Sequence, residues 1–248
     1  MLKKIAQRLA FGRASWDPVA YWSGRAADPN TMSVMWANLV YNDIVDRDEW
    51  RVIEQYLPEQ RRAVLDLGCG TGRVSERLAE RFDSYTGVDL DTMVAEARRR
   101  YPRLGDRFIA ATVDGYDYPE ARFDFVLSLG CLATACSKTS LESVAGRVVR
   151  SLQPGGRLVL IEPFHENTLL TRGCRTTSRK VAQLFESHGM VREVIDGMLF
   201  FPARMVLSEK VFDRFPRFTA LAYDAGERVV RLRPSLFSDY AIIVLTKS

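Results

Sequence analysis

Asp66-Leu67-Gly68-Cys69-Gly70-Thr71-Gly72 sets a carboxylate two residues ahead of three glycines at alternate positions. Glycines in that pattern permit a tight turn and let backbone N–H groups approach a ligand at a helix N-terminus. This is the chemistry of a nucleotide-type turn. The dinucleotide fingerprint G-x-G-x-x-G requires a glycine three residues after Gly70, where this chain has Arg73. Asp66 also disfavours a pyrophosphate, since like charges repel, whereas a ligand with an ammonium group gains from the carboxylate. A second acid, Asp89, lies seventeen residues beyond Gly72, near the position that binds ribose in nucleotide-binding α/β folds. A carboxylate there accepts two hydrogen bonds from vicinal hydroxyls. The competing role, an N-cap for the next helix, suits Asp91 better.

The elements around these residues alternate. A short apolar strand at 64–67 runs through the glycine turn into a helical pattern, Val74, Leu78, Ala79 and Phe82. Tyr85–Leu90 reads as a second strand, and a helix from about Thr92 ends before Pro102, because proline disfavours helix in the residue before it. Arg107–Val113 reads as strand three, closing on Asp114-Gly115, and Phe123–Gly130 as strand four, apolar enough to be covered on both faces. A helix from about Ser140 to Leu152 precedes the turn Pro154-Gly155-Gly156 and a fifth strand. A helix near Thr177–His188 leads to a sixth strand around Val191–Leu199, and Tyr240–Leu245 is the last. Strands alternating with helices predict a parallel, doubly wound α/β sheet. Such sheets bind ligands at the carboxyl ends of their strands, where Gly68, Asp89, Asp114 and Leu129 all fall.

Three stretches carry a resemblance: the acid and glycine turn of 64–72, Phe123-Asp124-Phe125-Val126, and the run from Leu152 through Pro154-Gly155-Gly156 to Glu162. Together they resemble the class I S-adenosylmethionine-dependent methyltransferases, specifically over about residues 62–163. The resemblance implies a Rossmann-like, doubly wound and mostly parallel seven-stranded sheet whose last strand is antiparallel. N-terminal helices and an insertion before the last strand would complete it. It implies S-adenosyl-L-methionine as cofactor and S-adenosyl-L-homocysteine as product. The implied cofactor-binding residues are Asp66, Gly68, Cys69, Gly70, Gly72, Asp89, Leu90, Asp114, Gly115 and Leu129. Asp114 would accept from the adenine amino group, with Asp117 as its nearby competitor and a plain turn aspartate as the alternative. Family members often fold N-terminal helices over the cofactor, which makes Tyr21 and Trp22 candidate cover residues.

The implied reaction is methyl transfer from a sulfonium to a nucleophile. The protein's task is to hold the attacking atom about 3–3.5 Å away, in line, and to exclude water. A base is required only when the acceptor must lose a proton. His165, just after Glu162-Pro163-Phe164 at the end of strand five, is the candidate, with an exposed loop histidine as the alternative. Glu162 would either orient it or hydrogen-bond locally. His188, beside Gly189, reads as a helix end. The Asn/Asp-Pro-Pro-aromatic element of amino methylation on nucleobases or glutamine is absent; the chain has Ser128-Leu129-Gly130-Cys131-Leu132 there. The expected acceptor is a small molecule with an oxygen, nitrogen or carbon nucleophile: a natural-product, quinone or lipid-linked intermediate. The rival readings are a non-methylating, cyclase-like enzyme and a non-catalytic partner subunit on the same scaffold.

At 248 residues the chain fits one domain, with 1–60 as a helical cover, 61–165 as the cofactor-binding core and 200–239 as a lid or substrate-wall insertion. That insertion is too aromatic for disorder and too long for a plain connection; extra core or an oligomer contact is the alternative. Net charge is +4, with the basic residues densest at Arg98–Arg100 and Arg228–Arg233 and without the aromatic interleaving of a single-strand nucleic-acid platform. Nucleic acid is therefore a disfavoured partner, and nothing in the pattern specifies an oligomer. No apolar run reaches the ~18–20 residues of a membrane span. Met1–Ala10 is basic and mildly amphipathic: a surface helix packed on Leu2, Ile5 and Leu9, or a weak membrane-surface contact through Lys3, Lys4 and Arg8. Four cysteines without C-x-x-C spacing and two histidines predict no metal site, and no disulfide framework is evident, which points to the cytoplasm.

Overall fold

The computed structural model describes residues 17–26, 36–166, 174 and 176–248. Expectations on Met1–Ala10 lie outside the described residues. Two helices come first, α1 (Pro18–Ala26) and α2 (Leu39–Gln55). The sheet then alternates with helices: β1 (Ala63–Leu67), α3 (Ser75–Ala79), β2 (Ser84–Asp89), α4 (Asp91–Arg100), β3 (Phe108–Ala110), β4 (Phe123–Leu129), α5 (Leu132–Ala135), α6 (Lys138–Ser151) and β5 (Leu152–Glu162). It closes with α7 (Ser178–Glu186), β6 (Met190–Phe200), α8 (Phe201–Leu207), α9 (Pro216–Leu232), α10 (Pro234–Phe237) and β7 (Ser238–Lys247). The strand order is β3-β2-β1-β4-β5-β7-β6, parallel from β3 to β5, with β7 antiparallel to both of its neighbours.

Alternation of apolar side chains puts a core on each face of the sheet. Leu65, Leu67, Val126, Leu158, Leu160 and Ile243 face one side. Val64, Phe125, Leu127, Val159, Ile161 and Ile242 face the other. All but Ile242 are fully buried or nearly so, and truncating one of these leucines costs about 2–5 kcal/mol. Asp124 shows why the strand-four motif carries an acid. Its buried carboxylate accepts from the Arg62 and Ala63 backbone N–H groups at 2.9 and 3.0 Å, anchoring the entry to β1.

Two elements differ from expectation. The helix after the glycine turn is only Ser75–Ala79, because its first residues remain part of the turn, where Gly72 N–H donates to Cys69 O. Strand three shrinks to Phe108–Ala110, because only three residues pair with β2, its one neighbour. The aromatic segment 200–239 is helical and packs on α2: Tyr223 OH donates to Asp48 at 2.8 Å and Asn38 donates to Leu207 O at 2.7 Å.

A mixed-charge cluster joins α2 to the glycine turn. Arg73 pairs with Asp46 and, at 2.7 Å, with the fully buried Glu49, while Arg77 reaches Asp46 at 2.8 Å. Burial works against the Arg73 charge, but Glu49 and Asp46 more than offset it. Removing Arg73 would strand the Glu49 carboxyl, at a cost of about 3–5 kcal/mol.

Candidate active site

The glycine turn has the backbone its sequence demands. Gly68, Gly70 and Gly72 take φ of 78°, 57° and 93°, in the left-handed region where other residues are strained. Their reasons differ. A Cβ on Gly68 would sit 2.2 Å from the Cys131 Cβ, so this glycine allows the loop after β4 to lie against the turn. A Cβ on Gly72 would sit 2.5 Å from the Tyr101 ring. A Cβ on Gly70 would meet nothing within 4 Å, because Gly70 faces open space.

That space is a cavity of about 450 Å3 at the carboxyl ends of β1 to β4, within the usual range for small-ligand sites. Asp66, Gly68, Cys69, Gly70, Asp89, Leu90, Asp114 and Leu129 line it, and so does Trp22 from α1. The other expected residues stand off its wall. Gly72 and Gly115 shape turns, Gly115 N–H donating to Thr112 Oγ1 at 3.1 Å. Tyr21 accepts from Arg25 at 2.7 Å and stacks edge-on against Trp22. Asp117 is exposed and also off the wall.

The two inner carboxylates are held differently. Asp89 accepts from Gly70 N–H and Leu90 N–H, both at 2.7 Å, and so ties the end of β2 to the turn. Burial still raises its carboxyl above the usual range, against those two donors. Asp91 occupies the first turn of α4 and provides no cap. Asp66 accepts from Tyr85 OH at 3.0 Å, and Tyr85 OH lies 2.6 Å from Ser75 Oγ. Burial pushes Asp66 up to about 7, with the Tyr85 hydrogen bond pulling it down and Asp89 adding to the rise. Asp66 is therefore poised to ionise when a cation arrives beside it.

Sequence reasoning missed the opposite wall: Val19, Arg25, Thr112, Gly130, Cys131 and Thr134 also line the cavity. Glu162 accounts for the last part of it. The buried Glu162 carboxylate accepts from Ser128 Oγ at 2.6 Å and from the N–H groups of Cys131, Leu132 and Ala133 at 2.9–3.2 Å. It fixes the turn from β4 into α5: the carboxylate hydrogen-bonds the backbone as one expectation had it, but to residues 29–34 positions away rather than locally. His165 is buried off the cavity wall, with Nε2 3.5 Å from Asp239, which pairs with buried Arg204 at 2.6 Å. Asp239 precedes Tyr240, whose hydroxyl would lie 3.7 Å from a Cβ on the cavity residue Gly130. Among the described residues no cluster of His, Cys, Asp and Glu could hold a metal ion. No helix among them is long and apolar enough to cross a membrane.

A family profile described as a methyltransferase domain matches residues 64–156, the stretch that carries the turn, Asp89 and Asp114. YqeM of Bacillus subtilis, whose name places it among methyltransferases, is 30% identical over 199 residues, covering 71% of this chain and 74% of its own. This chain belongs to the class I S-adenosylmethionine-dependent methyltransferases. S-adenosylmethionine is accordingly its cofactor. Mycobacterium tuberculosis Rv0089, named an uncharacterized methyltransferase, is 32% identical over 127 residues. That match covers 50% of this chain and 58% of the relative, so the chain spans little more than half the length of this relative. The crystal structure of the [4+2]-cyclase SpnF has the same fold, with a TM-score of 0.63 at 20% identity, covering 95% of this chain and 98% of SpnF. The cavity has groups that suit this cofactor: an open glycine backbone at Gly70 and two carboxylates, Asp66 and Asp89.

Proposed function

We propose that this methyltransferase acts on a small-molecule acceptor bearing an oxygen, nitrogen or carbon nucleophile. One observation carries the reading: Asp66, Asp89 and the open face of Gly70 converge on one cavity, walled by Trp22 and Leu129. When bound, S-adenosylmethionine supplies a methyl carbon activated by the positive sulfur. Asp89 would hold the ribose hydroxyls, using the carboxylate lone pairs that Gly70 and Leu90 leave free. Asp66 would face the cationic amino-acid end, and Asp114 the adenine amino group. Trp22 would cover the cavity from α1 and limit water.

For an acceptor that must lose a proton, His165 is the proposed base. Asp239 would hold its imidazole. Segment 200–239 supplies Arg204 and Asp239 to that side, which supports its reading as a substrate wall. Nucleic acid is not proposed as a substrate, and the chain is proposed to work in the cytoplasm.

The test is release of S-adenosylhomocysteine with panels of phenolic, quinone, amine and lipid-linked acceptors. Turnover with a small acceptor supports the reading. A second reading, a non-methylating reaction in the same cavity, is favoured by the likeness to SpnF over nearly the whole chain. Cofactor binding together with conversion of an acceptor but no S-adenosylhomocysteine release would establish that reading.

A further inference from the structure

Helix α9 has two unlike faces. At 100° per residue, Thr219, Tyr223, Gly226 and Val230 form one stripe, and all four are buried. Phe218, Leu221, Ala225 and Leu232 form a stripe on the far side. There Leu221 and Leu232 are 70% and 77% exposed, and Phe218 is 54% exposed, as is Phe215 just before the helix. Large apolar side chains that exposed and that aligned mark an interaction surface.

The charge around the stripe is one-sided. Lys210, Arg214, Arg217, Arg228, Arg231 and Arg233 are all exposed, and none forms an ion pair with a described residue. Of the three acids in the same stretch, two are engaged with the protein. Asp213 accepts from Leu39 N–H at 2.6 Å, and Glu227 from Phe200 N–H at 3.1 Å. Only Asp224 remains as an exposed acid. A stripe of leucine and phenylalanine flanked by arginines is the composition of a helix that lies in a membrane interface.

The position is also specific. Gly226 sits against Phe200, the last residue of β6, since a Cβ there would lie 2.8 Å from the Phe200 Cβ. Phe200 pairs with Ser238, the first residue of antiparallel β7. Helix α9 thus lies at the carboxyl end of β6, the same end of the sheet at which the cavity is formed.

We propose that the exposed face of α9, with the turn before it, docks on an anionic phospholipid bilayer. Phe215, Phe218, Leu221 and Leu232 enter the interface and the six basic side chains meet lipid phosphates. A second copy is the poorer occupant, because a two-fold contact through this face sets the same six cations against each other. A nucleic-acid phosphate chain satisfies the arginines but gives no partner to the leucines. The inference does not depend on which acceptor is methylated.

The experiment is co-sedimentation of the full chain with large unilamellar vesicles of phosphatidylcholine alone and with about one third phosphatidylglycerol. The chain is expected to sediment with the anionic vesicles only, and high salt is expected to weaken binding about tenfold or more. Leu221→Ser with Leu232→Ser, and separately Arg217→Glu with Arg228→Glu, are expected to lower partitioning about tenfold. Melting temperature and S-adenosylhomocysteine affinity should stay unchanged, because all four side chains are exposed and off the cavity wall. Absence of binding to anionic vesicles overturns the proposal, as does wild-type binding by both double variants. A concentration-dependent dimer abolished by the leucine substitutions, without vesicle binding, would assign the face to a second copy and equally overturn it.

Discussion

The Asp89 carboxylate accepts a 2.7 Å hydrogen bond from the backbone N–H of Gly70, closing the end of β2 onto the first turn of the sheet. One side chain thus fixes the loop while keeping carboxylate lone pairs free for the proposed ribose. Asp89→Ala is expected to weaken S-adenosylhomocysteine binding by about 1.5–3 kcal/mol, the worth of one or two charge-assisted hydrogen bonds. Calorimetric titration checks this, and an unchanged affinity would remove Asp89 from the ribose role.

The glycines separate stability from binding. Gly68→Ala drives a Cβ into Cys131 and is expected to cost about 1–3 kcal/mol of stability through overpacking. Gly70→Ala meets nothing, so only its left-handed backbone costs, about 1–2 kcal/mol. Its new methyl group projects toward the cavity and should abolish cofactor binding in a protein that still folds. Thermal melts with and without S-adenosylhomocysteine separate the two: the first variant melts early, and the second loses its ligand-induced shift.

Asp66 gives two pH dependences of opposite sign. Its folded value of about 7 stands above the 3.8 of the unfolded chain, so the stability it contributes is present below about 4 and lost as pH rises through 7. Melting temperature of the ligand-free protein should therefore fall across that window. A cationic cofactor binds the ionised form, so affinity should rise toward pH 7 and level off above it. Asp66→Asn should flatten both curves.

How much of this was legible depends on how local the cause is. The turn of 66–72 and the acid at Asp89 could be read because backbone geometry at three glycines and a short strand-to-strand spacing leave few alternatives. Cys131 could not, because Glu162, some thirty residues away in sequence, holds the loop that carries it against Gly68 through hydrogen bonds no pattern displays. Arg25 carries no motif, and it reaches the cavity only because α1 packs there. The role of Glu162 was open in the sequence for the same reason: a buried carboxylate's partners are set by tertiary contacts. The place of His165 after β5 could be read from the sequence, but its pairing with Asp239 spans most of the chain's second half.

That pairing has its own consequence. For an acceptor with a dissociable proton, His165→Gln is expected to lower kcat about 100-fold or more while cofactor affinity stays within about twofold. Asp239→Asn should lower kcat less and shift the pH–rate profile. It should also lower stability, because Arg204 loses a buried partner. A normal rate at every pH in His165→Gln would exclude His165 as the base.

The most direct test of the central claim is a crystal structure of the full chain with S-adenosylhomocysteine. The ribose hydroxyls are expected within hydrogen-bond distance of Asp89, with the amino-acid end over Gly68–Gly72 on the Asp66 side. A nucleoside bound elsewhere, or a ribose out of reach of Asp89, would contradict the account.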